Sequence, residues 1–362
     1  MCMCMCMSAH TSLSFLSSTH TLPPPCDRSP PPSPLPQSPI RVTLGGRGDS
    51  FTEYLLKEFL LTGEVDPFLY QHYMLASAGI RRQLAVRHEP RASTGSKPML
   101  AYLQQLVRTS SDGGSVAEFN NGGTPESPPP RGVTWSPVAK MDHLACFAPG
   151  LLALGDMELG DPRDVSSDGR IAIRPLYHEL MRSCVVSSLR TSTGVAPEIS
   201  RFDAFSSQAA GGMVDDEKSL HGLLRPEVSE SLLYLYRITG DVQYREWGGH
   251  ILDALLLEAQ TSDGAFAPLR TVNPPPGARI PGGRYVGTMP SFVVAETLKY
   301  LLLLFSDSSA VDLSTHVFNT EGHLLPKFGQ TAGEEGGDAA AAGGGARRLG
   351  RAERALLRCV YE

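Results

Sequence analysis

Apolar positions recur with a helical period over most of the middle of this chain. Phe51, Tyr54, Leu55 and Phe59 stand at i, i+3, i+4 and i+8, the spacing of one helix face. Tyr244, Trp247, Ile251, Leu252 and Leu255 repeat the pattern, and Leu232, Leu233, Leu235, Tyr236 and Ile238 form a third stripe. No alternating apolar and polar run is long enough to predict a major sheet, so the pattern predicts an all-α fold. Two segments share one layout: LLTGEVDPFLYQHY at 60–73 and YRITGDVQYREWGGH at 236–250. In each, an apolar helix ends at Thr-Gly, an acid follows, and an aromatic-led helix begins. Gly63 and Gly240 suit the left-handed stop of the first helix. Glu64 and Asp241 are placed to complement the dipole of the second. Repeated helical hairpins predict a bundle, a solenoid or a ring.

Composition narrows this picture. The formal net charge is −6 with acids and bases interspersed, so no basic patch points to nucleic acid or an acidic membrane. The richest apolar run, Phe292 to Phe305, is too short for a transmembrane helix and contains Glu296 and Lys299. The start, MCMCMCMSAHTSLSFLSSTH, has neither the basic region nor the continuous apolar region of a signal peptide. Residues 1–40 are Pro/Ser-rich and are expected to be disordered. Stretches at about 109–133 and 205–220 read as surface insertions in a domain over 41–326, and 327–362 as a Gly/Ala-rich tail. Of seven cysteines, only Cys146 and Cys184 lie in well-patterned sequence. They are either buried free thiols or one disulfide.

Four residues stand out chemically. Asp49, in GGRGDS, ends a Gly-rich turn just before a helix, where an N-cap is the plainer reading. Arg47-Gly48-Asp49 also forms an adhesion-type tripeptide, too short to carry weight. Glu227 follows Arg225-Pro226, and proline suits the first helical position. Glu227 then sits in the first turn, where the dipole favours the ionised form a general base needs. A helix-stabilising glutamate is the plain alternative. Glu296, in SFVVAETLKYLLLLF, is apolar on nearly every side, so it is either ion-paired or faces a polar cavity. His143, in MDHLACF, reads first as a core histidine. No zinc spacing, EF-hand loop, phosphate loop or nucleophile elbow is present. A helical protein with several acids near helix ends and apolar walls fits two-carboxylate glycoside chemistry.

Five blocks then carry a specific resemblance: GGRGDSFTEYLLKEFLLTG (45–63), MDHLACFAPGLLALG (141–155), LRPEVSESLLYLYRITGD (224–241), SFVVAETLKYLLLLFSD (291–307) and VFNTEGHLLP (317–326). In this order they resemble glycoside hydrolase family 47, the class I α-mannosidases of the endoplasmic reticulum and Golgi. The resemblance implies an (α/α)7 barrel of helical hairpins, here partial, with the N-terminal hairpins missing. It implies inverting hydrolysis of terminal α-1,2-linked mannose on high-mannose N-glycans by a monomer. Asp49 and Glu227 match two of the family's three catalytic carboxylates, with Glu227 the base and Asp49 its competitor. Arg47, His143, Arg225, Phe292, Glu296 and Glu321 match positions lining the mannose subsite or the metal's water shell. Thr320 matches the Ca2+ ligand, binding through its carbonyl and hydroxyl oxygens, and Cys146 and Cys184 match a disulfide pair. The third catalytic acid lies in a Phe-Glu-Thr-x-Ile-Arg type segment that residues 1–40 do not contain. Three readings follow: a mannosidase impaired in this chain, a non-catalytic Ca2+-dependent glycan binder, or a helical interaction protein without sugar chemistry.

Overall fold

The computed structural model describes residues 41–88, 100–108, 134–159, 173–203, 212–277 and 279–328. The Pro/Ser-rich start, the insertion at 109–133 and the Gly/Ala-rich stretch at 331–350 lie outside these residues. Helices form the framework: α1 (Asp49–Leu61), α2 (Pro67–Gly79), α3 (Ala148–Leu159), α4 (Ile173–Leu189), α5 (Glu227–Thr239), α6 (Gln243–Ala254) and α7 (Lys299–Phe305). They pack as neighbours α1 with α2, α3 with α4 and α5 with α6, and α5 also packs on α3 and α7. The first two turns of α5 are buried on every side, each residue from Val228 through Leu235 being buried.

The two matched hairpins turn in different ways. Gly63 and Gly240 both adopt left-handed φ, 79° and 71°, which glycine reaches without a Cβ clash. Asp241 then accepts from the Gln243 backbone N–H at 2.9 Å and starts α6. Glu64 does not do the same for α2. It is itself left-handed, with φ 63°, and is 1% exposed. Asp66 caps α2 instead, accepting from the Phe68 N–H at 2.8 Å, with Pro67 at the first helical position.

The phase of α1 also differs from expectation. Leu55 and Phe59 are buried, but Phe51 is 69% exposed and Tyr54 38%. The inward side carries Thr52, Glu53, Leu56, Lys57 and Leu60. A helix that turns acids and a lysine inward defeats a rule that equates polar with outside.

Four small antiparallel sheets of two or three strands fill the connections. Strands β1 (Arg41–Val42), β4 (Gln105–Arg108) and β5 (Trp135–Val138) form one, and β2 (Ala85–His88) with β3 (Leu100–Leu103) another. Strands β6 (Lys140–Asp142), β7 (Ile199–Phe202) and β8 (Met213–Asp215) form the third. The last is the hairpin of β9 (His316–Phe318) and β10 (Leu324–Pro326), with Leu324 opposite Phe318. The all-α expectation describes the framework and misses these connections, whose strands are too short to display alternation. Strand β8 falls inside the stretch read as an insertion at 205–220. The fold also continues past Pro326, since buried Lys327 donates to Glu158 at 2.6 Å and the Phe328 N–H donates to Leu61 O at 2.8 Å.

Cys146 and Cys184 are joined as a disulfide, with Cα atoms 5.9 Å apart. The bond ties the 3-10 turn His143–Phe147 to α4. No helix among the described residues is long and apolar enough to cross a membrane.

Candidate active site

Five separate segments converge on one cavity of ≈ 190 Å³. The start of α1 brings Asp49 and Glu53, and the 3-10 turn brings Leu144 and Phe147. The entry to α5 brings Arg225, Pro226, Glu227 and Glu230. The π-helical turn Val293–Leu298, with Phe292 before it, brings Glu296. The tip of the β9–β10 hairpin brings Thr320 and Glu321. Asp49, Arg225, Glu227, Phe292, Glu296, Thr320 and Glu321, all singled out in the sequence, therefore share one hollow. His143 lies just behind it and Arg47 outside its lining, exposed and left-handed at φ 80°.

Each wall has an identifiable brace. His143 Nδ1 donates to Glu227 Oε2 at 3.1 Å, and both side chains are nearly buried. The His143 backbone N–H donates to Glu198 O at 2.9 Å. The same Glu198 side chain accepts from Arg225 Nε at 2.6 Å and from the Leu223 N–H at 3.2 Å. Glu198 thus holds both the Arg225-Pro226-Glu227 entry and the histidine that touches Glu227. The Arg225 guanidinium lies 5.9 Å from the Phe292 ring centroid. Leu224, just before Arg225, is left-handed at φ 63°, and its carbonyl accepts from Thr297 Oγ1 at 2.8 Å. Such backbone strain concentrates where a site must be held in one geometry.

The hairpin tip is set by Asn319, whose side chain accepts from the Glu321 and His323 N–H groups at 3.0 and 2.8 Å. Gly322 follows at φ 70°, and a Cβ there would come within 2.9 Å of Glu296 Cγ. Its carbonyl accepts from Lys299 Nζ at 2.9 Å. Beneath the tip, Phe318 packs edge-on against Tyr234 and Tyr300, at 6.5 and 5.4 Å between centroids.

Charge is the site's dominant feature. Six acids line the cavity (Asp49, Glu53, Glu227, Glu230, Glu296 and Glu321) against one base, Arg225. Burial, then Glu321, Glu227 and Glu53 nearby, push the Glu296 carboxyl up to about 7 from an ordinary 4.5, with Lys299 pulling the other way. The folded state therefore holds a proton on Glu296 that the unfolded chain has released. This contribution to stability falls as pH rises from 4.5 to about 7. Thermal melts in chelator are expected to show that fall, and Glu296→Gln to flatten it. A slope of opposite sign that the variant leaves unchanged would contradict this.

The donor set suits a hard cation. It offers carboxylate oxygens and the Thr320 hydroxyl, with no thiol or imidazole in the cavity lining. Among the described residues, no three His, Cys, Asp or Glu side chains are close enough to enclose a metal by themselves. A cation here would depend on hydroxyl, carbonyl and water oxygens as well. Thr320 Oγ1 now donates to the Tyr54 hydroxyl at 2.9 Å.

Sequence reasoning passed over Glu53, Lys57, Glu198 and Glu230, and took Tyr54 only as part of an apolar stripe. Glu53 with Lys57, and Glu227 with Glu230, are each spaced by one helical turn, which places each pair on one face. That spacing was the available signal.

A helical framework with acids gathered around a sugar-sized hollow is the architecture of a glycoside hydrolase. The chain belongs to glycosyl hydrolase family 47, whose model matches residues 32–327. It is 35% identical over 285 residues to the endoplasmic reticulum mannosyl-oligosaccharide 1,2-alpha-mannosidase of Homo sapiens, covering 78% of this chain and 34% of that protein. It is 33% identical over 297 residues to the mannosyl-oligosaccharide 1,2-alpha-mannosidase of Candida albicans, covering 79% of this chain and 47% of that one. An alpha-1,2-mannosidase from Trichoderma reesei has a similar fold, with TM-score 0.59 and 23% identity over 80% of this chain and 53% of its own. The chain thus spans between a third and a half of the length of these curated relatives.

Proposed function

We propose that this chain carries the sugar-binding and base-supplying part of an inverting α-1,2-mannosidase. Its substrate class is terminal α-1,2-linked mannose on high-mannose N-glycans, met in the lumen of the secretory pathway. The observation that carries this reading is the convergence of Asp49, Glu227 and Glu296 with Thr320 on one cavity. The hairpins are read as consecutive members of the family's ring of seven. The lumenal setting is supported by the Cys146–Cys184 disulfide, which persists in oxidising compartments.

Glu227 is the general base. It stands in the first turn of α5. His143 occupies one carboxylate oxygen, which leaves the other to take a proton from the attacking water. Asp49, also at a helix start, is the competing candidate. Arg225 and Phe292 offer a cation and an aromatic face to a sugar ring. Thr320, with Glu296 and Glu321 beside it, would hold Ca2+, which when bound supplies positive charge for orienting sugar hydroxyls. The matched blocks carry two of the family's three acids, so no residue here is assigned to protonate a leaving alcohol.

Calorimetric titration with α-1,2-mannobiose tests the reading. Binding is expected in calcium buffer, lost in chelator and weakened by Thr320→Val. No binding in either buffer would overturn it.

A further inference from the structure

Beneath the cavity floor lies a cation that the proposed chemistry does not use. Lys57 is 3% exposed, and its Nζ donates to Glu230 Oε1 at 2.8 Å and to Glu53 Oε1. Glu53 and Glu230 are themselves buried, at 5% and 8% exposure, yet both line the cavity, whereas Lys57 does not. The ammonium also lies 5.7 Å from the Tyr234 ring centroid, so an aromatic wall holds it from the far side. Glu53 and Lys57 are one turn apart on α1, and Glu230 arrives from α5. A buried lysine is costly unless paired, and here it meets two carboxylates at once. Burial alone would lower its pKa, but Glu230 and Glu53 hold it well above the usual lysine range, so it stays charged.

We infer that Lys57 is a positioning residue that ties Glu53 and Glu230 back into the cavity floor, so that a cation bound near Thr320 meets them through water rather than as direct ligands. The inference rests on the cation site proposed above. Without Lys57, one oxygen of each carboxylate is freed, and two unpaired acids face a cavity where four other acids already repel them. A divalent or trivalent ion is the strongest available replacement for the lost ammonium.

Terbium, a luminescent stand-in for calcium, reads this directly. Its emission lifetimes in light and heavy water count the waters bound to the ion. In Lys57→Met the count is expected to drop by about one water for each carboxylate that becomes a ligand, with affinity rising roughly tenfold. If that variant unfolds in chelator, terbium is expected to restore its fold. The triple variant Glu53→Gln, Lys57→Met, Glu230→Gln leaves neither acid unpaired, and its hydration count is expected to match the parent's. An unchanged count and affinity in Lys57→Met, or a higher count in the triple variant than in the parent, would overturn the role of Lys57 and leave the cation site standing. Absence of terbium binding to the parent would overturn the site and this inference together.

Discussion

A dinitrophenyl α-mannoside is expected to be hydrolysed by this chain, and Glu227→Gln to slow that hydrolysis about 10²–10⁴-fold. Dinitrophenolate leaves without protonation, so the substrate bypasses the step to which no residue of this chain is assigned. What remains is attack of water on the anomeric carbon, with its proton passing to Glu227 as the bond to the phenolate oxygen breaks. The loss corresponds to about 2.7–5.5 kcal/mol of transition-state stabilisation. Glutamine keeps the size of the side chain and an oxygen to accept from His143 Nδ1, so the loss should fall on kcat rather than on sugar affinity. Asp49→Asn separates the competing assignment, because the residue acting as base carries the larger loss. A Glu227→Gln variant as fast as the parent would remove Glu227 from that role. Under the same conditions an α-1,2-linked mannose disaccharide is expected to turn over far more slowly than the aryl mannoside, because its leaving alcohol needs a proton.

Removal of the disulfide is the second large effect. The bridge closes a loop of 38 residues in sequence, worth about 4 kcal/mol in chain entropy. The double variant Cys146→Ala, Cys184→Ala is expected to lose about 2–5 kcal/mol, and a melt to show a fall on the order of 10 °C. The consequence reaches the site, because Cys146 shares the 3-10 turn with His143, Leu144 and Phe147. His143 touches Glu227, while Leu144 and Phe147 line the cavity. Loosening that turn should reduce aryl mannoside hydrolysis even below the new melting point. An unchanged Tm in the double variant or in the reduced protein would contradict the assignment.

The sequence made much of this legible, and its failures have physical reasons. Leu232, Leu233 and Leu235 are buried where α5 packs on α3 and α7, but Ser229, Glu230 and Ser231 are buried with them and Tyr236 and Ile238 only half so, because this helix is enclosed on every side at its start rather than along one stripe. Gly63 and Gly240 take the left-handed turns their Thr-Gly context suggests. Glu64 was misassigned because Asp66-Pro67, two residues on, is the stronger helix start. On α1 the periodicity of Phe51 and Tyr54 pointed to the wrong side, because the buried face carries Glu53 and Lys57. Their burial is supported by each other and by Glu230, a partner 173 residues away that no local pattern reveals. Glu198 was invisible for the same reason. Its value lies in meeting Arg225, Leu223 and the backbone of His143, which only the fold brings together. Glu296 was legible because a carboxyl inside an apolar run must have a polar outlet, and the cavity supplies it.

The stereochemistry of the first product tests the account most directly. Proton NMR can follow mannose released from a dinitrophenyl α-mannoside in calcium buffer, before the anomers equilibrate. Water activated by Glu227 on the face opposite the leaving group predicts β-mannose first, with the signal lost in Glu227→Gln. Appearance of α-mannose first, or of β-mannose at an equal rate in the variant, would contradict an inverting site built around that residue.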